Sequence, residues 1–315
     1  MGERRAVEEQ MKVEKSAETW YMTDLVNDVK TGADAGEKTI EERRDDIEKS
    51  LRKTYKVPLF NPFVKAIVNY EMIQPGDKIA VCISGGKDSM LMAKLFQELK
   101  RRNKISFELV FLVMDPGYRD ANRALIESNA ELLGIPLTIF ETQIFDAVYE
   151  IEKSPCYLCA RMRRGYLYRH AQELGCNKIA LGHHYDDVIE TILMGMLYAG
   201  QYQAMMPKLK STNFPGMELI RPMYLVREQD ICRFRDYNGL HFLQCACRFT
   251  EQLGLEHLDE ASASKRLEVK RLIAELKKDN PQVEKNLFKA TENVVLNKVL
   301  AYKINGEKHS FLEDY

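Results

Sequence analysis

Lys78-Ile79-Ala80-Val81-Cys82-Ile83, followed at once by Ser84-Gly85-Gly86-Lys87-Asp88-Ser89, is the stretch that decides the fold. An apolar run of this length, bounded by Pro75-Gly76 before it and paired glycines after it, reads as a buried strand. The glycines let successive backbone N–H groups converge on a phosphate, the two serines add hydroxyl donors, and Lys87 adds positive charge. Apolar positions from Met90 onward predict a helix whose N-terminus favours an anion, so a nucleotide is expected here. The spacing matches neither the Gly-x4-Gly-Lys-Ser/Thr of ordinary P-loops nor a dinucleotide fingerprint.

Working outward, strands and helices alternate. A helix from about Met90 to Lys100 precedes a strand from Leu109 to Met114 that ends at Asp115-Pro116-Gly117. A helix near Asn122 to Leu133, a strand near Leu137 to Phe140, a helix after Cys159, a strand from Lys178 to Leu181 and a helix from Asp186 continue the rhythm. That order predicts an α/β fold with a parallel sheet. Ligands of such sheets sit beyond the carboxyl ends of the strands, where Ser84, Asp115 and Gly182 fall. Ser84, Gly85, Gly86, Lys87, Asp88 and Ser89, with Met114 and Gly182, are the expected nucleotide contacts.

Upstream, residues 1–38 read as a weakly ordered extension and 39–74 as N-terminal helices. Thr39 with Glu42 forms a capping box opening a helix through about Lys53, and Asn61 is expected to cap a second running to about Ile73. The nucleotide domain is expected over 75–255, with C-terminal helices and a tail over 256–315.

The 315 residues are 45% hydrophobic, enough for one large core with peripheral helices. With 46 basic and 47 acidic residues no overall field draws in nucleic acid, so RNA contact must come from local patches. The charged N-terminus has no apolar signal region and no stretch is long enough to span a bilayer, which predicts a cytoplasmic protein off the membrane. Seven cysteines, an odd number, point to metal or thiol chemistry rather than a disulfide scaffold.

Ser154-Pro155-Cys156-Tyr157-Leu158-Cys159 reads as an N-cap, a proline at N1 and two thiols in the first helical turn, where the helix dipole and the following Arg161, Arg163 and Arg164 favour thiolate. An inert buried pair is the plainer alternative. Two thiolates are too few to hold a metal. A third must come from Cys245 or Cys247 in Phe242-Leu243-Gln244-Cys245-Ala246-Cys247, with Cys245 the first choice, because Cys82 lies inside a strand while Cys176 and Cys232 read as ordinary packed positions. In Gly182-His183-His184-Tyr185-Asp186-Asp187, Asp187 and Thr191 share a polar helix face, Asp186 and Glu190 are equally well read as complementing the helix dipole, and His184 divides evenly between packing and site.

The hexapeptide Ser84–Ser89 resembles the PP-loop of the N-type ATP pyrophosphatases. Cys156-Tyr157-Leu158-Cys159-Ala160-Arg161-Met162-Arg163-Arg164-Gly165 and Leu181-Gly182-His183-His184-Tyr185-Asp186-Asp187-Val188-Ile189-Glu190-Thr191 narrow the likeness to the tRNA 2-thiocytidine synthetase family. Met206-Pro207-Lys208-Leu209, Ile220-Arg221-Pro222-Met223 and Lys289-Ala290-Thr291-Glu292-Asn293-Val294 fit the same pattern, so the resemblance covers roughly residues 55–295.

The resemblance implies a Rossmann-like, adenine nucleotide alpha hydrolase-like fold that splits ATP between its α and β phosphates and leaves AMP on a substrate oxygen. It implies Mg²⁺, a [4Fe–4S] cluster on Cys156, Cys159 and, by order, Cys245, a tRNA partner whose cytidine 32 in the anticodon loop is the substrate, and a homodimer. It implies that His183 contacts ATP. The family's Pro-Cys-x-x-Cys near the end is here Gln244-Cys245-Ala246-Cys247.

Lys87 is expected to stabilise departing pyrophosphate, Asp88 and Asp187 to orient Mg²⁺, and the cysteines to deliver sulfur from sulfide or a cysteine desulfurase. A persulfide on Cys159 is the metal-free alternative. RNA contact falls to Arg161, Arg163, Arg164, Lys208, Lys210 and Arg221, with Tyr118 or Tyr202 available to stack a base. The helix carrying Lys265, Arg266, Lys270 and Arg271 reads as a solvated face. A PP-loop ligase leaves the CxxC unexplained, and a nucleotide-binding zinc sensor would perform no turnover.

Overall fold

β1 (Lys78–Ile83) is the hub of a six-stranded sheet and pairs in parallel with β2 (Glu108–Asp115) on one side and β4 (Lys178–Ala180) on the other. The computed structural model describes residues 38–142, 144, 155–243, 262–313 and 315. β3 (Leu137–Glu141) runs parallel to β2, β6 (Glu218–Ile220) runs parallel to β4, and β5 (Lys208–Lys210) closes the far edge antiparallel to β6, giving the order β3-β2-β1-β4-β6-β5. β1 is buried from Ile79 to Ile83 because helices cover both its faces, which is why its sequence is a continuous apolar run rather than an alternation.

The chain proceeds outward through β1, β2 and β3, then crosses back to place β4 on the other flank of β1. Strand order therefore reverses between β1 and β4, and a crevice opens there beyond the carboxyl ends.

Two units divide the chain, residues 1–45 and 46–315. In the first, the expected capping box is present: the Thr39 N–H donates to Glu42 Oε2 at 2.8 Å and the Glu42 N–H to Thr39 Oγ1 at 3.2 Å, opening α1 (Ile40–Arg52). In the second, Ile47, Leu51, Leu59 and Phe63 share one apolar core with Ile79 of β1, and with Met90 and Phe96 of α3 (Lys87–Arg101). Asn61 does not cap α2 (Asn61–Asn69). A π-helical turn over Lys56–Phe60 feeds directly into the helix, Phe60 takes the cap position without a side-chain bond, and the helix stops at Asn69, short of Ile73.

α3 begins three residues before Met90. Gly86, extended at φ −80° and ψ 162°, is its N-cap, so Lys87, Asp88 and Ser89 form the first turn and stand at the anion-favouring end. Further on come α4 (Asp120–Leu133), α5 (Pro155–Glu173), α6 (Tyr185–Ala199), α7 (Glu228–Tyr237), α8 (Ser262–Asp279) and α9 (Val283–Ala290). Val269 and Ile273 of α8 and Phe288 of α9 are buried in the same core as β1. The tail contains a β-hairpin, β7 (Ala301–Ile304) with β8 (Glu307–Ser310), turned by Asn305-Gly306 with both residues at positive φ. Among the described residues no helix is long and apolar enough to cross a membrane.

Candidate active site

The Ser84–Ser89 turn is tied by one hydroxyl. Ser89 is buried; its Oγ donates to the Gly86 carbonyl at 3.0 Å and accepts the Ser84 N–H at 3.1 Å, while Ser84 Oγ lies 3.1 Å away. This arrangement fixes the curve of the turn. Gly85, at φ +84°, is irreplaceable on two grounds: the left-handed backbone, and the 2.7 Å at which a Cβ would meet Ile126 Cγ1. Leu243 closes the same side, with its N–H donating to Gly85 O at 3.3 Å.

A cavity of about 410 Å³ occupies the crevice between β1 and β4, a size ordinary for a small-molecule site. Ser84, Asp88, Ser89, Met114, Gly182, His183 and Asp187 all line it, so seven residues selected from sequence converge. Arg163, Arg164 and Leu167 of α5 supply the facing wall. On the other side of the turn a second cavity of about 760 Å³ is lined by Gly86, Lys87, Asp88, Arg235, Phe242 and Leu243, among others.

Asp88 is divided between two tasks. Its Oδ2 pairs with Lys87 Nζ at 3.1 Å, while Oδ1 is buried with no hydrogen-bond partner, 3.9 Å from His184 Nε2. Lys87 also reaches Glu228 Oε1 at 3.3 Å, and Lys270 of α8 meets the other Glu228 oxygen at 2.5 Å. Burial disfavours the Lys87 ammonium, but the two carboxylates outweigh it and its pKa rises. Burial likewise opposes the Glu228 carboxylate; the two lysines overcome it and bring its pKa down to about 2.

Asp187 has both oxygens engaged: Oδ2 accepts the His184 N–H at 3.0 Å and Oδ1 accepts from Arg266 at 2.8 Å. His184 is buried and is the N-cap of α6, its Nδ1 accepting the Asp187 N–H at 3.4 Å, so both residues form a reciprocal cap. Asp186 does not only complement its own helix. It accepts the Glu228 N–H at 2.7 Å and pairs with Arg227 at 2.9 Å, capping α7 from outside and so holding Glu228 toward Lys87. His183 faces the cavity with Nδ1 buried and unpartnered; burial first, then the positive field of Arg221, pushes its pKa down to about 4, leaving it neutral. Asp115 is fully used in its own turn, accepting from the Gly117 and Tyr118 N–H groups and from Arg123.

Several expected RNA contacts lie elsewhere. Arg221 is 6% exposed; its Nη1 donates to the Met206 carbonyl, and burial together with nearby Arg164 brings its pKa down to about 10. It is too deep to meet RNA at the surface. Lys208 donates to Glu71 O at 3.1 Å, and Tyr118 is buried with its hydroxyl 3.5 Å from Arg163, whereas Tyr202 is exposed. Arg266 and Lys270 are not a merely solvated face, since they bond Asp187 and Glu228 at the edge of the site. Glu228 was not singled out from sequence, because nothing in its neighbourhood marks a residue 141 positions from Lys87 as its partner.

Cys156 and Cys159 lie in the first turn of α5. Cys245 and Cys247 lie outside the described residues. Cys82 lines the cavity, but burial, with a smaller contribution from Cys176, pushes its thiol up to about 12, so it stays protonated. Among the described residues no three His, Cys, Asp or Glu side chains are grouped to hold a metal ion.

A PP-loop domain model matches residues 58–247. The tRNA-cytidine(32) 2-sulfurtransferase of Pelobacter propionicus is 34% identical over 269 residues, covering 83% of this chain and 96% of its own length. That of Syntrophotalea carbinolica is 38% identical over 233 residues, covering 73% and 86%. The solved U34-tRNA thiolase of Methanococcus maripaludis with its [4Fe–4S] cluster shares the fold at a TM-score of 0.55 and 22% identity, over 85% of this chain and 83% of that one.

Proposed function

The chain belongs to the PP-loop family of tRNA-cytidine(32) 2-sulfurtransferases, and from that premise we propose that it activates the C2 oxygen of cytidine 32 in the tRNA anticodon loop with ATP and replaces it with sulfur. The observation that carries this reading is the course of α5. Positions 156 and 159 open the helix, and the stripe they begin continues at helical spacing through Arg163 and Leu167, which line the cavity with Ser84 and Asp88. From position 159 to Arg163 the helix rises about 6 Å, so positions 156 and 159 stand on the same helix that lines the cavity through Arg163 and Leu167. At the glycine turn itself the Leu243 N–H donates to the Gly85 carbonyl at 3.3 Å, and Cys245 follows Leu243 two positions later in the sequence.

The residues fit ATP. Two buried polar atoms, Asp88 Oδ1 and His183 Nδ1, lack partners at the cavity where a nucleotide would supply them, and Gly182 lets the backbone pass close to the loop, a Cβ there crowding the Asp88 carbonyl carbon at 3.3 Å. ATP supplies AMP, which converts a poor leaving oxygen into a good one. The N–H groups at the start of α3 and the hydroxyl of Ser84 are oriented before substrate arrives, so charge developing on phosphate oxygens is met without reorganisation. Lys87 remains a cation beside the loop, held by Glu228. Asp88, with one oxygen uncommitted, is the residue suited to Mg²⁺; Asp187, with both engaged, positions the helix instead. Neutral His183 is able to accept or donate one hydrogen bond to the nucleotide without adding charge.

The donor set Cys156, Cys159 and Cys245 suits a [4Fe–4S] cluster, which would supply an iron able to present sulfur to the activated carbon. The helix N-terminus favours the thiolates that such ligation needs. Hydrosulfide or a cysteine desulfurase supplies the sulfur to a homodimer that acts in the cytoplasm. The test is to incubate anaerobically prepared protein with ATP, sulfide and an unmodified tRNA transcript and to analyse the nucleosides by mass spectrometry. The reading expects 2-thiocytidine and an equivalent of AMP; AMP with no thionucleoside, or a different thionucleoside, contradicts it.

A further inference from the structure

α5 has a second working face. Arg161, Arg164, Gly165 and Tyr168 recur at helical spacing on a side distinct from that of Arg163 and Leu167, and they line a separate cavity of about 530 Å³ against the β5–β6 hairpin. The hairpin contributes Lys210, Thr212, Asn213 and Phe214, with Phe214 stacked on Tyr168 at 5.1 Å and an interplanar angle of 12°. Arg164 lines both cavities, so the two adjoin across one guanidinium.

We propose that this hairpin cavity seats the backbone phosphate that flanks the target nucleotide, with Arg161, Arg164 and Lys210 as its anion contacts. The inference rests on the thiolase reading above. Three observations favour an RNA phosphate. Among the described residues no carboxylate lines the cavity, and none pairs with Arg161, Arg164 or Lys210, in a chain whose acidic and basic residues are nearly equal in number. The remaining polar wall is hydroxyl and amide, the donors that complete phosphate recognition beside guanidinium groups. Finally, a base presented to ATP at the mouth of the nucleotide cavity is covalently joined to a phosphate on either side, so an anion seat one side chain away lies within reach of the strand. Arg221, buried behind Arg164, disfavours leaving that neighbourhood without an anion.

An acidic segment of a sulfur-donating protein would meet the same cations, and the experiment separates the two because it measures tRNA binding with no donor protein present. Binding of an unmodified tRNA transcript carrying cytidine 32 is measured against salt concentration for the full chain, for Arg161→Glu/Lys210→Glu and for Lys53→Glu/Lys56→Glu, which makes the same charge change on exposed lysines away from the cavity. ATP affinity and melting temperature are recorded for all three. The cavity variant is expected to weaken tRNA binding by at least about tenfold and to flatten the salt dependence by about two phosphate contacts, while ATP affinity stays within about twofold. The control variant should leave both nearly unchanged. Equal weakening by the two variants, or unaltered tRNA affinity in the cavity variant, overturns the proposal and leaves the thiolase reading standing. Failure of the unaltered protein to bind tRNA overturns both.

Discussion

The two ends of the central sheet treat buried polar groups in opposite ways. At the amino end Lys178, 4% exposed, bonds Asp77 at 3.1 Å, Glu218 at 3.0 Å and the Met72 carbonyl at 3.0 Å; Asn177 bonds the other Asp77 oxygen at 2.7 Å and receives the Lys78 N–H. Every charge there is answered from within the chain. At the carboxyl end Asp88 Oδ1 and His183 Nδ1 are buried without partners beside Arg163 and Arg164, which pair with no carboxylate among the described residues. An unmet buried polar group is costly, and the chain keeps two of them where the strand order reverses. The saturated end holds the fold together, and the unsaturated end is left open for a ligand to complete.

If that contrast is right, substitutions at the two ends should separate stability from chemistry. The largest effect is expected from Lys178→Met, which strands Asp77 and Glu218 and should cost about 4 kcal/mol in urea unfolding while activity per folded molecule is kept. A loss of less than about 1 kcal/mol would break the comparison from the structural side. Asp88→Asn should do the reverse: AMP formation should fall about 100-fold, with unfolding free energy within about 1 kcal/mol of the starting chain. Turnover unchanged in that variant would break it from the functional side.

Glu228→Gln sharpens the picture by testing how Lys87 is held. Loss of one carboxylate leaves Lys87 with Asp88 alone, and an increase of about tenfold in the KM for ATP, with a smaller change in kcat, is expected from steady-state kinetics. The smallest effects are in pH dependence, and they separate into two windows. His183 titrates below its ordinary 6.5, at about 4, so the unfolded chain takes up a proton first as pH falls, and stability present above 6.5 is lost progressively toward 4. Glu228 is lowered from 4.5 to about 2, so its contribution is present above 4.5 and lost only below it. Melting temperatures between pH 6.5 and 5 should therefore decline less steeply in His183→Gln than in the unaltered chain, whereas Glu228→Gln should flatten the profile only below 4.5. Parallel curves across the upper window would show that His183 is not the group responsible.

Local signals were the most legible part of the sequence. The buried strand, the glycine turn and the Thr39–Glu42 box are each specified within a few neighbouring residues, and each forms where the sequence places it. That Ser84, Met114 and Gly182 line one cavity was legible too, because strand ends of a parallel sheet converge by topology. What escaped was set by distant partners: the start of α3 at Lys87 depends on the extended Gly86, α2 is launched by a π-helical turn rather than an asparagine cap, and Glu228 reaches Lys87 only through Asp186. β5 and β6, of three residues each, are too short to show an alternating pattern, although the cavity they build stands beside the site. The Asn305-Gly306 hairpin did carry a local signal, a strong one, that the reading of the tail did not include.

The central claim is that one helix carries the thiols and walls the nucleotide cavity, so that thiolation and nucleotide binding are adjacent but separable. The most direct measurement is a single-turnover assay of Cys159→Ala with ATP, sulfide and unmodified tRNA, following 2-thiocytidine by mass spectrometry alongside ATP affinity. The account predicts no 2-thiocytidine with ATP affinity retained within about threefold. Thiocytidine formed at the rate of the unaltered protein would contradict it.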